Sequence, residues 1–203
     1  VYAEAARFRG ISLYRMGQAS QAAGYLQESL ARYERLGEAQ SCARLQMELG
    51  LAYRATGNTA AARRAYELAL AEWRREDNLH SQANVLNSLG VLHHAQGEFE
   101  AAIRSLEDGL DAARRGGLAW QQALLLASLG DVYLDLDAFA SAGQAYERAA
   151  GIASQVSYQF LSNYIGLARA RLARLRGQPG EARRRLDEAR ASIQANLSNY
   201  ESG

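Results

Sequence analysis

Lysine is absent from the 203 residues, so arginine supplies all 23 basic positions. A GC-rich bacterial genome accounts for that bias without any functional demand. Cysteine occurs once, at Cys42, which excludes an internal disulfide framework and a cysteine-based zinc site. A reducing, cytoplasmic setting follows. Proline also occurs once, at Pro179, so almost nothing in the chain forbids continuous helix. No apolar run is long enough to span a bilayer. Histidine is scarce, and adjacent residues on a helix point about 100° apart, so His93 and His94 do not chelate one metal together. His80 is read as a turn residue. Gly-rich phosphate loops, nucleophile elbows and paired zinc motifs are all missing. The expectation is a protein that is not an enzyme and holds no cofactor or metal.

Charge is nearly balanced, at +1 overall, which speaks against a whole-chain preference for nucleic acid or for an anionic membrane. It is unevenly spread. Taken in blocks of 40 residues, the net charges are +1, +1, −2, −3 and +5, with Glu201 completing the total. The arginine-rich stretch from Arg169 to Arg190 lacks the interleaved aromatics of a base-stacking platform. It is read as a solvated face or a contact to another domain, not as a site for direct nucleic acid binding.

Those blocks of 40 also align with one another without an insertion. Gly10, Gly50, Gly90 and Gly130 share one column, which holds Ala170 in the fifth row. Gly17, Gly57, Gly97, Asp137 and Gly177 share a second. A third is alanine throughout: Ala22, Ala62, Ala102, Ala142 and Ala182. Small residues held in register over five rows mark a repeat architecture. The second column ends a helix, since glycine takes positive φ without a Cβ penalty. After each such turn a second apolar pattern begins, as with Ala102, Leu106 and Leu110 at i, i+4 and i+8. The spacing predicts two helices per row, ten in all, with bounds near 2–16, 19–36, 39–56, 59–76, 79–96, 98–115, 118–136, 138–156, 158–176 and 179–196. A glycine inside a helix costs about 1 kcal/mol against alanine. Four in register need a packing reason, and the glycine and alanine columns are read as points where helix backbones cross closely.

These residues resemble the tetratricopeptide repeat. The resemblance rests on Leu89-Gly90, on Tyr53, His93 and Tyr133 three residues past the glycine, on the alanine column, and on Tyr66, Leu106 and Tyr146 four residues beyond it. His93, standing in an aromatic column, is assigned to core packing. Two features depart from the family: its period is roughly 34 residues, and its closing proline is replaced by Arg74, Arg114 and Ser154. The extra length is expected to extend the helices, as in kinesin light chains and regulators of the maltose-activator type. The resemblance implies an all-α, right-handed superhelical solenoid of five helix-turn-helix repeats, residues 1–40, 41–80, 81–120, 121–160 and 161–200, forming a single domain over 1–203. A start at Val1 inside a repeat suggests a fragment of a longer protein.

The same resemblance assigns the inner groove to the first helix of each pair. Its stripe is Glu4, Arg7, Ile11 and Tyr14, then Arg44, Met47, Leu51 and Arg54, then Asn84, Asn87, Val91 and His94. Leu124, Ala127, Asp131, Leu134 and Asp135 follow, then Tyr164, Leu167, Arg171 and Arg174. Asn84 and Asn87 are singled out, because an amide both donates and accepts and can bond both sides of a peptide unit. Asp131 and Asp135, an i, i+4 pair, are read as an acidic face. With no lysine, the carboxylate-clamp pattern of chaperone adaptors is not matched. The leading reading is a protein or peptide interaction scaffold within a bacterial regulatory protein. A small-molecule inducer sensor and self-association through uncapped terminal repeats are the alternatives.

Overall fold

The computed structural model describes residues 2–155 and 159–201, and these form ten helices. They are α1 (Tyr2–Arg15), α2 (Ala19–Leu36), α3 (Ala39–Ala55), α4 (Thr59–Arg75) and α5 (Leu79–Ala95), then α6 (Phe99–Arg115), α7 (Ala119–Asp135), α8 (Phe139–Ala153), α9 (Gln159–Leu175) and α10 (Pro179–Glu201). Expected and observed bounds agree to within a residue or two at nearly every end. Val156 and Tyr158, the expected end of the eighth helix and start of the ninth, lie outside the described residues. Most helices have 17 residues, about 25 Å of axis. The extra residues of the long period therefore lengthen the helices.

The turns explain why the rows stay in register. Positive φ recurs every 20 residues, at Gly17, Gly37, Gly57, Asp77, Gly97, Gly117, Asp137 and Gly177. At Gly57 the φ of 78° lets the Asn58 N–H reach back to the Tyr53 carbonyl at 2.9 Å, the bond of a Schellman cap. The Asn58 side chain then caps α4 by accepting from the Ala61 N–H at 3.1 Å. Asn78 does the same for α5 through Ser81 at 3.0 Å. That cap corrects one reading: His80 is not a turn residue but lies in the first turn of α5.

Two compact units make up the chain, Val1–Glu98 and Phe99–Gly203. In the first, Leu13, Leu26, Leu30, Leu45, Leu49 and Ala52 form a core between α1, α2 and α3. A second cluster of Ala62, Tyr66, Leu70, Trp73, Val85, Leu86 and Leu89 joins α4 to α5. In the other unit the buried positions include Leu125, Leu126, Leu129 and Val132 of α7, Tyr146 of α8, and Leu161 and Ile165 of α9.

The small-residue columns are packing devices. Ala22, Ala62, Ala102 and Ala142 are 0% exposed and Ala182 is 7% exposed. The mid-helix glycines work differently from the expectation of backbone crossing backbone. A Cβ on Gly50 would stand 2.5 Å from Cδ1 and 2.8 Å from Cζ of Tyr66, and one on Gly130 would stand 2.6 and 2.8 Å from the same atoms of Tyr146. At Gly10 the neighbour is Leu26 Cγ at 2.8 Å, with the Ala22 carbonyl at 3.2 Å. The glycine is thus a notch that receives the side chain 16 residues later on the facing helix. The fifth row shows the converse. There Ala170 brings its own Cβ to the notch, and Leu186, the corresponding side chain, is 49% exposed.

Candidate ligand-binding face

Successive first helices touch one another within each unit, α1 with α3 and α7 with α9, so the odd-numbered helices line the tighter side of each stack. In the first unit most residues of the expected stripe are partly or fully accessible. Ile11, Tyr14, Met47, Leu51, Asn84, Asn87, Val91 and His94 are half-buried, and Arg44 and Arg54 are exposed. Met47 and Leu51 are the outer edge of the second apolar cluster, and Tyr14 is the outer edge of the first.

Arg7 is not available to a ligand. Its guanidinium donates to Glu48 on α3 at 3.0 Å and to Glu4 at 3.0 Å, while the Tyr33 hydroxyl donates to Glu4 at 2.7 Å. Three helices are tied by these bonds. Burial pushes the Glu48 carboxyl above its usual range against the pull of Arg7, whereas the Tyr33 hydrogen bond holds that of Glu4 below it. Arg7 is therefore a strut between helices. Sequence reading missed Glu48, which faces Arg7 across 41 residues with no local pattern to announce the pairing.

His93 is half-buried and also paired. Its Nδ1 lies 2.5 Å from Glu98, which in turn accepts from Arg63 on α4 at 2.7 Å. The Arg63 hydrogen bond, then that of His93, holds the Glu98 carboxyl below the usual carboxylate range. The column that holds Tyr53 and Tyr133 in the adjacent rows here carries a polar clasp, so core packing is only part of what His93 does.

In the second unit Asp131 accepts from the Tyr146 hydroxyl of α8 at 2.6 Å and from the Tyr164 hydroxyl of α9. Arg171 donates to Asp135 at 2.9 Å. Burial, followed by the charge of Asp131, pushes both tyrosine hydroxyls to high pKa, so they act as fixed donors. Asp131, Asp135 and Arg171 are thus brought together, and Arg174 stands exposed farther along α9. Two stripe residues do not reach the surface: Ala127 is 0% and Leu134 2% exposed, because α7 is wrapped by apolar neighbours on more than one side. Among the described residues no group of three potential metal-ligating side chains occurs. No described helix is long and apolar enough to cross a membrane.

The basic fifth row is largely committed to internal partners. Arg169 pairs with Glu147, Arg184 and Arg185 pair with Glu181, and Arg176 donates to the Phe139 carbonyl. An open cleft of about 910 Å³ between α8, α9 and α10 is lined in part by Arg148, Arg169, Arg176 and Arg185.

The tetratricopeptide repeat family profile matches residues 41–115. Residues 41–115 are tetratricopeptide repeats. The other hairpins carry the same columns on the same 40-residue period and the same helical fold. No curated protein sequence matches the chain. Among solved structures, a putative kinesin light chain with nearly identical TPR-like repeats from Podosopora anserina is 18% identical, with a TM-score of 0.74 over 95% of each chain. A Rap protein complexed with Competence and Sporulation Factor is 15% identical, with a TM-score of 0.82 over 93% of this chain and 53% of that one. A signal transduction ATPase with a tetratricopeptide repeat sensor from Pyrococcus horikoshii is 16% identical, with a TM-score of 0.82 over 98% of this chain and 30% of that one. At such identities the likeness concerns the fold, an all-α stack of tetratricopeptide hairpins.

Proposed function

We propose that the chain is a protein-interaction scaffold whose odd-helix face holds an extended segment of a partner, and that it serves a bacterial regulatory protein. The observation that carries this reading is the half-buried stripe of the first unit, where the apolar rungs Met47 and Leu51 of α3 and Val91 of α5 share one stripe with Asn84 and Asn87 of α5. Half-buried apolar side chains gain from being covered, and amides beside them supply both halves of a backbone hydrogen-bond pair. In the second unit the polar members Asp131, Tyr164, Asp135 and Arg171 are already bonded within the chain, so that stripe offers fewer polar groups to a backbone. The likeness to a Rap protein solved with a bound factor, and to a signalling ATPase with a repeat sensor, supports a role in recognition.

The test uses a displayed library of random peptides. The tightest binder is synthesised, and its affinity is measured for the unaltered chain and for Asn84→Ala/Asn87→Ala. Each lost hydrogen bond is worth about 1 kcal/mol, so the double variant should bind at least about tenfold more weakly with its helix content unchanged. Equal affinity would remove these residues from the site.

A further inference from the structure

The two units offer an internal comparison 80 residues apart. Tyr66 and Tyr146 occupy the same place, each with its ring in the notch of a mid-helix glycine and with Cζ 2.8 Å from the Cβ that Gly50 or Gly130 lacks. Both are 0% exposed. Their hydroxyls meet different fates. That of Tyr146 donates to Asp131, which also accepts from Tyr164. That of Tyr66 is buried and makes no hydrogen bond of good geometry, although the Arg54 and Ser88 side chains lie close enough to favour its ionised form. The sequence explains the difference: in the register of the repeat, Leu51 stands where Asp131 stands and Asn84 where Tyr164 stands. The first unit has the donor without the carboxylate. It also has a cation there, since Arg54 is exposed, has no acidic partner among the described residues, and lies near enough to Tyr66 to bear on its ionisation. Tyr14 and Ser88 complete the polar surroundings of the hydroxyl.

We propose that this position takes a carboxylate from an acidic side chain, Asp or Glu, of the bound segment, with the Tyr66 hydroxyl donating to it and Arg54 supplying the charge. The inference rests on the scaffold reading above. A buried donor left unmatched is costly, and a charge-assisted hydrogen bond is the stronger kind of remedy. A carboxylate is what the same phenol takes in the second unit. Asn84 is shorter than Tyr164 by a ring, so the side chain that closes over the phenol in the second unit has no equivalent here, and a carboxylate would reach the hydroxyl past Asn84 and the exposed Arg54. Burial pushes the Tyr66 hydroxyl up to about 12, so it is a donor at every physiological pH.

The experiment is the same random-peptide selection, read for composition and repeated on variants. The unaltered chain should enrich peptides with Asp or Glu at one fixed position. Changing that residue to Gln or Asn should weaken binding about tenfold. Tyr66→Phe removes only the unpartnered hydroxyl and should leave the fold as stable or more so. It should nevertheless lose about tenfold toward the acidic peptide while treating the neutral peptide as before, a difference that a merely structural role would not produce. Leu51→Asp, which lets the chain supply its own carboxylate as Asp131 does, should abolish the acidic preference. Binders with no acidic position, or a Tyr66→Phe variant that binds the acidic peptide with full affinity, would overturn this proposal and leave the scaffold reading standing. No binder at all would overturn both.

Discussion

Gly50→Ala should destabilise the protein by about 2 kcal/mol, even though alanine is the better helix former by about 1 kcal/mol. The added methyl would lie 2.5 Å from Cδ1 of Tyr66, a ring that is wholly enclosed and has nowhere to move without disturbing Val85, Leu86 and Leu89 of the same cluster. Overpacking of this kind costs about 1–3 kcal/mol. The sign should reverse once the ring is gone: in a Tyr66→Ala background, Gly50→Ala should stabilise by about 1 kcal/mol, giving a coupling of about 3 kcal/mol between the two sites. Gly24 provides the control, because it also lies within a helix but has no atom within 4 Å of its missing Cβ. Gly24→Ala should stabilise by up to about 1 kcal/mol. Denaturant titration of the four-membered cycle and the control measures all of this, and additive effects would mean that the glycine is not a notch for the ring.

Ala62→Leu should be comparably damaging, about 1–3 kcal/mol, for a related reason. Ala62 is 0% exposed and belongs to the buried cluster that also holds Ala43 of α3 and Val85, Leu86 and Leu89 of α5. Three further carbons have no space to enter without forcing those helices apart. Ala62→Gly, by contrast, should cost about 1 kcal/mol, from helix propensity and a small void. A neutral Ala62→Leu would place the alanine column away from any tight junction.

Much of the fold was legible from the amino acids because the turns and small-residue columns are local. Gly17, Gly57, Gly97 and Gly177 adopt the positive φ that their position past a helix implied, and Asp137 follows them at 55°. What the glycines of the other column face was harder to read. Periodicity identifies an inward position but not the atom opposite it, and in Gly50 and Gly130 that atom belongs to an aromatic ring instead of a backbone. The fifth row shows the limit of analogy, since one methyl at Ala170 accompanies a Leu186 that stays outside. Among the expected site residues, Met47, Asn84, Asn87 and His94 are half-buried and Arg54 is exposed. Arg7 does not remain free, because Glu48 lies on another helix at no fixed sequence interval. The contrast between Leu51 and Asp131 was visible in the alignment of rows. Its meaning depended on knowing where the Tyr66 and Tyr146 hydroxyls point.

These parts make a division of labour. Even-numbered helices supply Ala62, Tyr66 and their counterparts as ridges for packing, and odd-numbered helices carry the notches and, on the same cylinders, the polar stripe.

The most direct test of that division is a titration of isotopically labelled protein with the selected acidic peptide, followed through its backbone amide resonances. The account predicts the largest shifts at Arg54, Asn84, Asn87 and their neighbours on α3 and α5. Shifts confined to the even-numbered helices, with α3 and α5 silent, would contradict it.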